Sequence, residues 1–437
     1  MSETLLSRWQ NLVATDSTAI AVIDSANQVW HRGELDDAAM AWARTLPSGL
    51  RNRRVALALP NGGEWFVKFI GLLHAGAVPV PLDAAEPPAA QLKLAAAAGA
   101  GWTWQDDQLT PIAKTEAETH RQCLIKLTSG STGRPRALAF TDKQMLADGR
   151  QICRTMDIRP DDRNFALIPL GHSYGLGNLV VPLLDQGTAI ICAGLPLPHL
   201  MAATIKRWRA TVFPAVPAVL RALAESEIAA ELIGDLRVVI SAGSLLTPQI
   251  ARSFHERFWH KVHNFYGSSE TGGIAYDRTG DAALVGSIVG TAIEGVAITV
   301  LPDDQFSVTS PAVFGDGSHQ PSDLGRLTDK GELVLLGRSG RVVKIAGRRL
   351  DLAGFESELR ELPGISDAHA EPHPENPEEI VLFLSGSIAQ TETRALLRES
   401  LATWKIPRQI MVVKEFPRNA RGKVDLLALR QLAACKP

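Results

Sequence analysis

The stretch Leu-Thr-Ser-Gly-Ser-Thr-Gly-Arg-Pro-Arg, residues 127–136, is the most informative part of this chain. It places four hydroxyl residues and two glycines in six consecutive positions, directly after the mostly apolar run Cys123–Leu127. Hydroxyl groups and the backbone N–H groups that glycine leaves accessible can surround phosphate oxygens, and Arg136 adds a positive charge. The Walker A pattern GxxxxGK[ST] is absent, so the stretch indicates either another kind of phosphate loop or a polar surface loop.

Around this loop, short β-rich runs alternate with helical stretches. Residues 54–59 are typical of a buried strand, 64–74 of a helix that Gly76 ends, and 77–82 of a second strand. The same alternation returns between residues 163 and 241. It predicts an α/β fold with a large N-terminal domain of doubly wound parallel sheets, covered by helices on both faces.

The pattern changes after Ser287 to short alternating strands and turn residues, which predicts a small β-barrel-like segment. The following stretch GRSGRVVKIAGRR is rich in Gly and Arg and indicates a boundary. We predict an N-terminal domain over residues 1–336, a hinge over 337–340 and a small α+β C-terminal domain over 341–437.

Composition excludes several classes of protein. A chain of 437 residues is too long for one ordinary core, and its formal net charge of −2 leaves no electrostatic footprint for nucleic acid or an anionic membrane. Four scattered cysteines disfavour a disulfide scaffold or a zinc site. The N-terminus lacks the basic-then-apolar order of a signal peptide, and no apolar run reaches the length of a transmembrane helix. We therefore expect a cytoplasmic protein.

Further motifs accompany the loop, in one order along the chain. They are LLHAGAVPVPLD from Leu72, SAGS from Ser241, YGSSE from Tyr266, PSDL from Pro321, GR at Gly337 with KIAGRR from Lys344, and PRNARGK ending at Lys423. Together with TSGSTGRPR, this ordered set resembles the adenylate-forming superfamily of acyl-CoA synthetases, nonribosomal adenylation domains and luciferases. The resemblance covers nearly the whole chain.

The resemblance implies a site for ATP and Mg²⁺. The implied phosphate-loop residues are Thr128, Ser129, Gly130, Ser131, Thr132, Gly133 and Arg136. Gly243 and Ser244 would lie on the adenine side, Tyr266 would stack on the adenine with Gly267 also in the nucleotide site, and Ser269 would bond a phosphate oxygen. In the same family, the residue matching Glu270 holds Mg²⁺ and the residue matching Asp323 binds the ribose hydroxyls.

At the domain junction, the resemblance implies that Arg338 contacts ribose or phosphate, with Lys344 and Arg349 also near the nucleotide. Gly347 would line the tunnel that the thiol enters, and Lys423 would be the catalytic lysine of the adenylation step. The small domain is mobile in the family and rotates between the two half-reactions. Gly340 stands here where the family's hinge has Asp or Lys, and glycine still tolerates large changes in φ and ψ.

The acid is harder to name from the sequence. PLGHSYG, residues 169–175, resembles the stretch of acyl- and aryl-CoA synthetases whose histidine borders the acid pocket, which gives His172 a catalytic role. Amino-acid-activating members have an aspartate there for the ammonium group, and this stretch has none. An uncharged acyl or aryl acid is therefore favoured. The alternative for His172 is an ordinary loop histidine.

The resemblance implies an ATP-dependent acid–thiol ligase that forms an acyl-adenylate and then an acyl-CoA. Two alternatives remain: a ligase that loads the phosphopantetheine of a carrier protein, and a catalytically silent nucleotide-binding homologue. The sequence departs from the family at Arg136, Ser269, Gly340 and Pro321-Ser322, and the region 275–320 is shortened and lacks GELxxxG. Oligomeric state is left open.

Overall fold

A computed structural model describes residues 3–105, 107–113, 122–129, 135–244, 246–286, 288–338, 342–376, 378–417 and 428–431. The chain divides into two compact units. The first comprises Met1–Ala84, Gln91–Thr128 and Arg136–Ser339, and the second comprises Gly340–Pro437 with the short segments Ala85–Ala90 and Ser129–Pro135. The predicted domain limits, with the hinge at 337–340, stay a prediction.

Twelve α-helices are formed by the described residues. In chain order they are α1 (Leu5–Thr15), α2 (Arg32–Thr45), α3 (Gly63–His74), α4 (Pro88–Ala97), α5 (Asp142–Met156), α6 (Ser173–Gly175), α7 (Val181–Gln186), α8 (Pro198–Trp208), α9 (Pro217–Ala224), α10 (Pro248–Phe258), α11 (Leu352–Arg360) and α12 (Gln390–Ser400). A π-helical turn, Leu176–Val180, joins α6 to α7. Three 3₁₀ turns lie at Ala230–Ile233, Ala282–Leu284 and Thr403–Lys405.

The strands that the described residues form are short. They are β1 (Ile20–Ile23), β2 (Val29–His31), β3 (Arg54–Leu57), β4 (Val78–Pro81), β5 (Trp102–Gln105), β6 (Gln108–Pro111), β7 (Leu124–Ser129), β8 (Pro135–Phe140), β9 (Arg163–Ala166), β10 (Ala189–Cys192), β11 (Val212–Ala215), β12 (Val238–Ser241), β13 (Val262–Ser268), β14 (Gly272–Tyr276), β15 (Ile288–Ala292), β16 (Ala297–Val300), β17 (Phe306–Thr309), β18 (Ser318–His319), β19 (Asp323–Leu327), β20 (Glu332–Arg338), β21 (Val342–Ile345), β22 (Arg348–Asp351), β23 (Ile365–Pro372), β24 (Ile380–Gly386) and β25 (Gln409–Val413).

The first unit is built on an eleven-stranded sheet in the order β19-β20-β15-β14-β13-β12-β11-β9-β10-β1-β2. Its centre, from β13 to β1, is parallel, and antiparallel strands extend both ends. A second sheet, β4-β3-β5-β6, is parallel around β3. These sheets confirm the predicted α/β fold. Since parallel strands of one sheet end at a common edge, the loops that follow β9, β12 and β13 can contribute to one site.

The βαβ unit predicted around residues 54–82 is present as β3, α3 and β4. Its helix ends where Gly76 adopts a left-handed φ of 67°, a conformation that glycine takes without a Cβ penalty. On the inner face of this helix, Trp65 stacks on Phe69 at a ring separation of 4.8 Å, and both side chains are fully buried. Both rings belong to the largest apolar core of the first unit.

The β-rich segment expected after Ser287 is present, but its described strands do not close into a barrel. β15, β20 and β19 extend the large sheet, and β16, β17 and β18 form a separate three-stranded antiparallel sheet. A strand pattern in sequence specifies length and alternation but not which edge a strand joins. No helix formed by the described residues is both long enough and apolar enough to cross a bilayer.

The second unit contains the hairpin β21–β22 and the sheet β23-β24-β25, against which α11 packs. Phe355, Leu359, Leu382 and Leu384 belong to its apolar core. The β21–β22 hairpin turns through Ala346 and Gly347 alone, and both have positive φ, 48° and 79°. That is the pattern of a two-residue turn that matches the twist of the strands.

Candidate active site

The motif YGSSE lies at the end of β13 and forms the tip of a hairpin with β14, residues 262–276, which we call the YGSSE hairpin. A Cβ on Gly267 would lie 2.4 Å from the Gly272 carbonyl oxygen, so only glycine allows the two arms to close. Below the tip, the Ser268 N–H donates to Thr271 Oγ1 and the Thr271 N–H donates to Ser268 Oγ, both at 3.2 Å. These local bonds fix the tip residues that the sequence singled out.

Tyr266 and Asp323, which are 57 residues apart, meet in the structure. The Tyr266 hydroxyl donates a hydrogen bond of 2.6 Å to Asp323 Oδ2, and both residues are buried. Asp323 begins β19 and is paired in register with Arg338, the last residue of β20. A carboxylate can accept about four hydrogen bonds. The tyrosine therefore orients Asp323 without using all of its acceptor capacity.

Ser269 and Glu270 occupy the hairpin tip and are partly exposed. The Glu270 carbonyl accepts a 2.7 Å hydrogen bond from the Phe314 N–H, which anchors the tip to the loop before β18. Ser269 Oγ accepts a 2.8 Å hydrogen bond from Ser173 Oγ. Ser173 comes directly after His172, so the hairpin tip contacts the loop that the sequence assigned to the acid.

We call that loop, residues 169–175, the acid-side loop. Its backbone packs closely against neighbouring backbone at two glycines. A Cβ on Gly175 would lie 2.1 Å from the Pro169 carbonyl oxygen, and one on Gly171 would lie 2.8 Å from the Leu82 carbonyl oxygen. The loop conformation therefore depends on both glycines. Within the loop, burial raises the pKa of the Tyr174 phenol well above its ordinary value, so the phenol stays protonated far above physiological pH.

Asn61 holds the chain that enters the acid-side loop. Its side-chain amide donates to the Ile168 carbonyl at 2.8 Å, and its oxygen accepts the Leu170 N–H at 2.9 Å. Asn61 follows β3, so it connects the smaller sheet to the exit of β9 in the larger sheet. Sequence reasoning did not identify this residue.

Asp83 is a second residue that the sequence analysis missed. His172 Nε2 lies 3.1 Å from Asp83 Oδ2, with 35% of the histidine side chain and 10% of the aspartate side chain exposed. Asp83 follows β4 and is 89 residues from His172. The statement that PLGHSYG contains no carboxylate is correct, but the fold brings one to it. The only sequence signal was a charged residue directly after the apolar strand around residue 80.

The other predicted nucleotide residues lie on strand ends and turns. Gly243 follows β12 with a φ of 89°, which requires glycine in this turn, and Ser244 comes next. Thr128 and Ser129 end β7, and Arg136 is exposed on β8. Lys344 ends the first strand of the β21–β22 hairpin, Gly347 is in its turn, and Arg349 is on its second strand. Gly130, Ser131, Thr132, Gly133, Gly340 and Lys423 lie outside the described residues.

The carboxylate of Glu270 is the candidate protein ligand for Mg²⁺. Within the described part of the chain, no group of three or more His, Cys, Asp or Glu side chains is arranged to hold a metal by itself. Mg²⁺ commonly binds one or two carboxylates together with substrate phosphates and water. The partly exposed carboxylate of Glu270 fits this mode, in which the nucleotide supplies the remaining oxygens.

Comparisons with known proteins identify the family of this chain. The family model described as AMP-binding enzyme matches residues 9–108 and 94–316. The 3-hydroxybenzoate–CoA/4-hydroxybenzoate–CoA ligase of Thauera aromatica is 26% identical over 341 residues, 70% of this chain and 65% of the ligase. The benzoate–CoA ligase of the same organism is 26% identical over 77% of this chain and 72% of its own length.

Among solved structures, the chain is similar to a double mutant of o-succinylbenzoate CoA synthetase from Bacillus subtilis, bound to a product analogue. The TM-score is 0.81 at 20% identity, and the match covers 97% of this chain and 98% of the synthetase. At this level of identity the likeness establishes the fold.

Proposed function

Because the chain belongs to the AMP-binding enzyme family, we propose that it activates a small acyl or aryl carboxylic acid with ATP and transfers the acyl group to the thiol of CoA. The names of the hydroxybenzoate– and benzoate–CoA ligases that resemble it support this choice of reaction and of acid. The ordered motifs from Leu72 to Lys423 support it independently.

One observation carries the proposal: the 2.8 Å hydrogen bond from Ser173 to Ser269. It joins the acid-side loop to the tip of the YGSSE hairpin, next to Glu270. In the proposed first step a carboxylate must reach the α-phosphate of ATP, and bringing two reactants together in one orientation supplies a large part of such a rate acceleration. A direct bond between the acid side and the nucleotide side is the arrangement that this step needs.

In the first half-reaction, a carboxylate oxygen attacks the α-phosphorus of ATP. The bond from this phosphorus to the oxygen that bridges to the β-phosphorus breaks, and pyrophosphate leaves with the electron pair. Protein side chains need form no covalent bond in this step, so they act by positioning and by neutralising charge. We assign this work to Thr128, Ser131, Thr132 and Lys423, with Asp323 holding the ribose.

Glu270 is the residue that would hold Mg²⁺. A bound Mg²⁺ supplies positive charge to the phosphate oxygens as negative charge develops on them. The contribution of this chain is to present one hard carboxylate from a hairpin tip whose backbone is fixed by Ser268, Thr271 and Phe314.

In the second half-reaction, the thiol sulfur attacks the acyl carbon and AMP leaves with the oxygen that came from the carboxylate. The thiol proton is released to water. We assign the thiol entrance to the backbone around Gly347, which family resemblance supports. Phosphopantetheine on a carrier protein is the alternative acceptor, because it presents the same terminal thiol as CoA.

The proposed acid has no ammonium group, although Asp83 lies in the acid-side region. Asp83 Oδ2 is 3.1 Å from His172 Nε2, and its side chain is only 10% exposed. His172 already engages this carboxylate, and the relatives whose names support the proposal act on benzoates, which carry no ammonium group. We therefore assign Asp83 the task of orienting His172, whose ring borders an uncharged acid.

The experiment that tests the proposal is ATP–pyrophosphate exchange with benzoate, hexanoate, phenylalanine and leucine, followed by addition of CoA. We expect exchange that depends on benzoate or hexanoate and a CoA thioester detected by mass spectrometry. Exchange without thioester until a phosphopantetheinylated carrier protein is added would favour the alternative acceptor. Absence of exchange with every acid, in a protein that still binds ATP, would identify a silent homologue.

A further inference from the structure

Lys126 is a buried lysine next to the phosphate loop that the proposed mechanism does not use. It lies on β7, two residues before Thr128, and only 2% of its side chain is exposed. Lysine is almost never fully buried unless it is paired. Removing an ammonium group from water is costly, so its presence in a strand of Cys, Leu and Ile needs an explanation.

Asp148 is the partner that explains this burial, and we call the two residues the buried ion pair. Lys126 Nζ lies 3.9 Å from Asp148 Oδ2 and 4.3 Å from the ring centroid of Phe140 on β8. Burial lowers the pKa of Lys126, while the charges of Asp148 and, more weakly, Glu270 oppose this change. Burial likewise raises the pKa of Asp148, against the charge of Lys126.

The second carboxylate oxygen of Asp148 binds the YGSSE hairpin. Asp148 Oδ1 accepts a 3.0 Å hydrogen bond from the Gly273 N–H, three residues after Glu270. A Cβ on Gly272 would lie 2.2 Å from the same oxygen, so the carboxylate is in direct contact with the hairpin backbone. One continuous path therefore runs from β7, through Lys126 and Asp148, to the arm of the hairpin that follows Glu270.

We propose that the buried ion pair sets the position of the YGSSE hairpin relative to the strand that leads into the phosphate loop, and that Lys126 and Asp148 are positioning residues for the binding of MgATP. The inference rests on the proposed function in one respect, the assignment of Glu270 to Mg²⁺. It does not depend on which acid or thiol is used.

A buried ion pair is a poor choice for stability alone. Apolar residues of similar size often replace such pairs with no loss of stability, whereas removing one partner leaves a buried charge without compensation. A charged pair is directional, however, and it fixes a register that apolar packing would leave less defined. The buried ion pair lies between the strand that leads into the phosphate loop and the YGSSE hairpin. The relative position of these two elements affects nucleotide binding.

The test uses the full-length protein and isothermal titration calorimetry with ATP at several MgCl₂ concentrations, which needs no acid and no turnover. Lys126→Met should weaken ATP binding at limiting Mg²⁺ and raise the Mg²⁺ concentration for half-maximal binding by about tenfold, the lower end of the 10–100-fold typical for residues that orient metal ligands. Asp148→Asn keeps an acceptor for Gly273 and should raise this concentration less than Lys126→Met does.

The double variant Lys126→Met/Asp148→Asn separates positioning from stability. It removes both charges, so its Tm should be close to that of the wild-type protein even if Lys126→Met alone folds poorly. It should nevertheless keep the raised Mg²⁺ requirement. Arg150→Met is the matched control, because Arg150 lies on the same helix α5 and pairs with Asp185 at 2.7 Å, away from the hairpin. It should change Tm without changing the Mg²⁺ requirement.

A double variant with wild-type ATP and Mg²⁺ affinity would overturn the inference and leave the pair a structural feature. The proposed function is tested separately by exchange in the wild-type protein. If exchange is absent while ATP binding depends on Lys126, the proposed function fails and this inference stands. If exchange is present while the double variant binds MgATP normally, the reverse holds.

Discussion

The YGSSE hairpin and the acid-side loop touch through Ser173 and Ser269, but different kinds of contact hold them in place. Within the hairpin, the tip is fixed by bonds between residues a few positions apart, such as Ser268 and Thr271, and Phe314 and Asp148 add contacts from farther along the chain. The acid-side loop is fixed from far along the chain, with Asn61 more than 100 residues away and Asp83 89 residues away. We therefore propose that nucleotide binding depends on local hairpin geometry supported by these distant contacts, whereas the choice of acid depends on how the two sheets meet.

This difference predicts that changes on the nucleotide side alter ATP and Mg²⁺ parameters, and that changes on the acid side alter substrate preference. A nucleotide-side variant that alters substrate preference, or an acid-side variant that alters ATP and Mg²⁺ parameters, would contradict this difference.

The largest effect is expected for Lys423→Ala. Removing one group that stabilises developing charge should slow adenylation by roughly 10²–10³-fold. Transfer from a supplied acyl-adenylate to CoA should change much less, because the leaving group is already formed. Single-turnover measurement of each half-reaction checks this, with Lys414→Ala, an exposed lysine, as the control. Equal loss of both half-reactions would contradict the assignment.

Glu270→Gln should have the next largest effect. The substitution keeps the size of the side chain but removes the charge that a hard cation prefers, so the Mg²⁺ concentration for half-maximal exchange should rise about 10–100-fold. The matched control is Glu294→Gln, because Glu294 is an exposed carboxylate paired with Arg154. A Mg²⁺ titration indistinguishable from that of the wild-type protein would refute the role of Glu270.

Tyr266→Phe tests the nucleotide side without removing the proposed ribose ligand. It deletes the hydroxyl that donates to Asp323 at 2.6 Å, a hydrogen bond to a charged group worth about 1.5 kcal/mol or more. The KM for ATP should rise about tenfold, while the KM for the acid stays within about twofold. Tyr276→Phe, at another buried tyrosine of the same hairpin, is the control. A larger change for the acid than for ATP would show that the two sides are not separate.

His172→Ala tests the acid side. Shortening this side chain should change the ratio of benzoate to hexanoate exchange by about tenfold, the scale of altering a small part of an apolar pocket, with little change in the KM for ATP. Asp83→Asn should shift the same ratio in the same direction but less, because Asn can still accept a hydrogen bond from the imidazole. If either variant gains exchange with leucine or phenylalanine, Asp83 faces the substrate differently from our assignment.

Ser173→Ala should have the smallest effect. The 2.8 Å hydrogen bond to Ser269 is between neutral groups, and its loss should cost about 0.5–1.5 kcal/mol. Since it joins the two regions, the loss should raise the KM for ATP and for the acid together, each by a few-fold. A change in only one of the two would show that this bond does not couple them.

The parts of the fold that could be predicted from the sequence depend on residues that are close together in the chain. The helix before Gly76, the strands around it and the parallel sheets follow from periodicity and turn residues, which act over a few positions. The YGSSE motif, including Gly267, was recognised by its resemblance to a family motif, and the hairpin that it forms was not predicted. Lys126 interrupts the apolar run 123–127 in the sequence, but neither its burial nor its partner Asp148 was predicted.

The contacts that the sequence did not reveal all join elements of different sheets or distant segments. Nothing in the run after β4 indicates that Asp83 will face His172, because this depends on how the two sheets pack. The same limitation produced the barrel expectation, since alternation in strands does not specify which edge β15, β19 and β20 join. Pairings over such distances are decided by the packing of the whole unit.

Attack of the carboxylate on the α-phosphate of ATP is tested most directly by an isotope experiment. Benzoate labelled with ¹⁸O in both carboxylate oxygens is incubated with the protein, ATP, Mg²⁺ and CoA, and the AMP is analysed by mass spectrometry. One ¹⁸O atom is expected in AMP and none in the pyrophosphate, because AMP leaves with a carboxylate oxygen. Label in inorganic phosphate, or unlabelled AMP formed together with benzoyl-CoA, would contradict it.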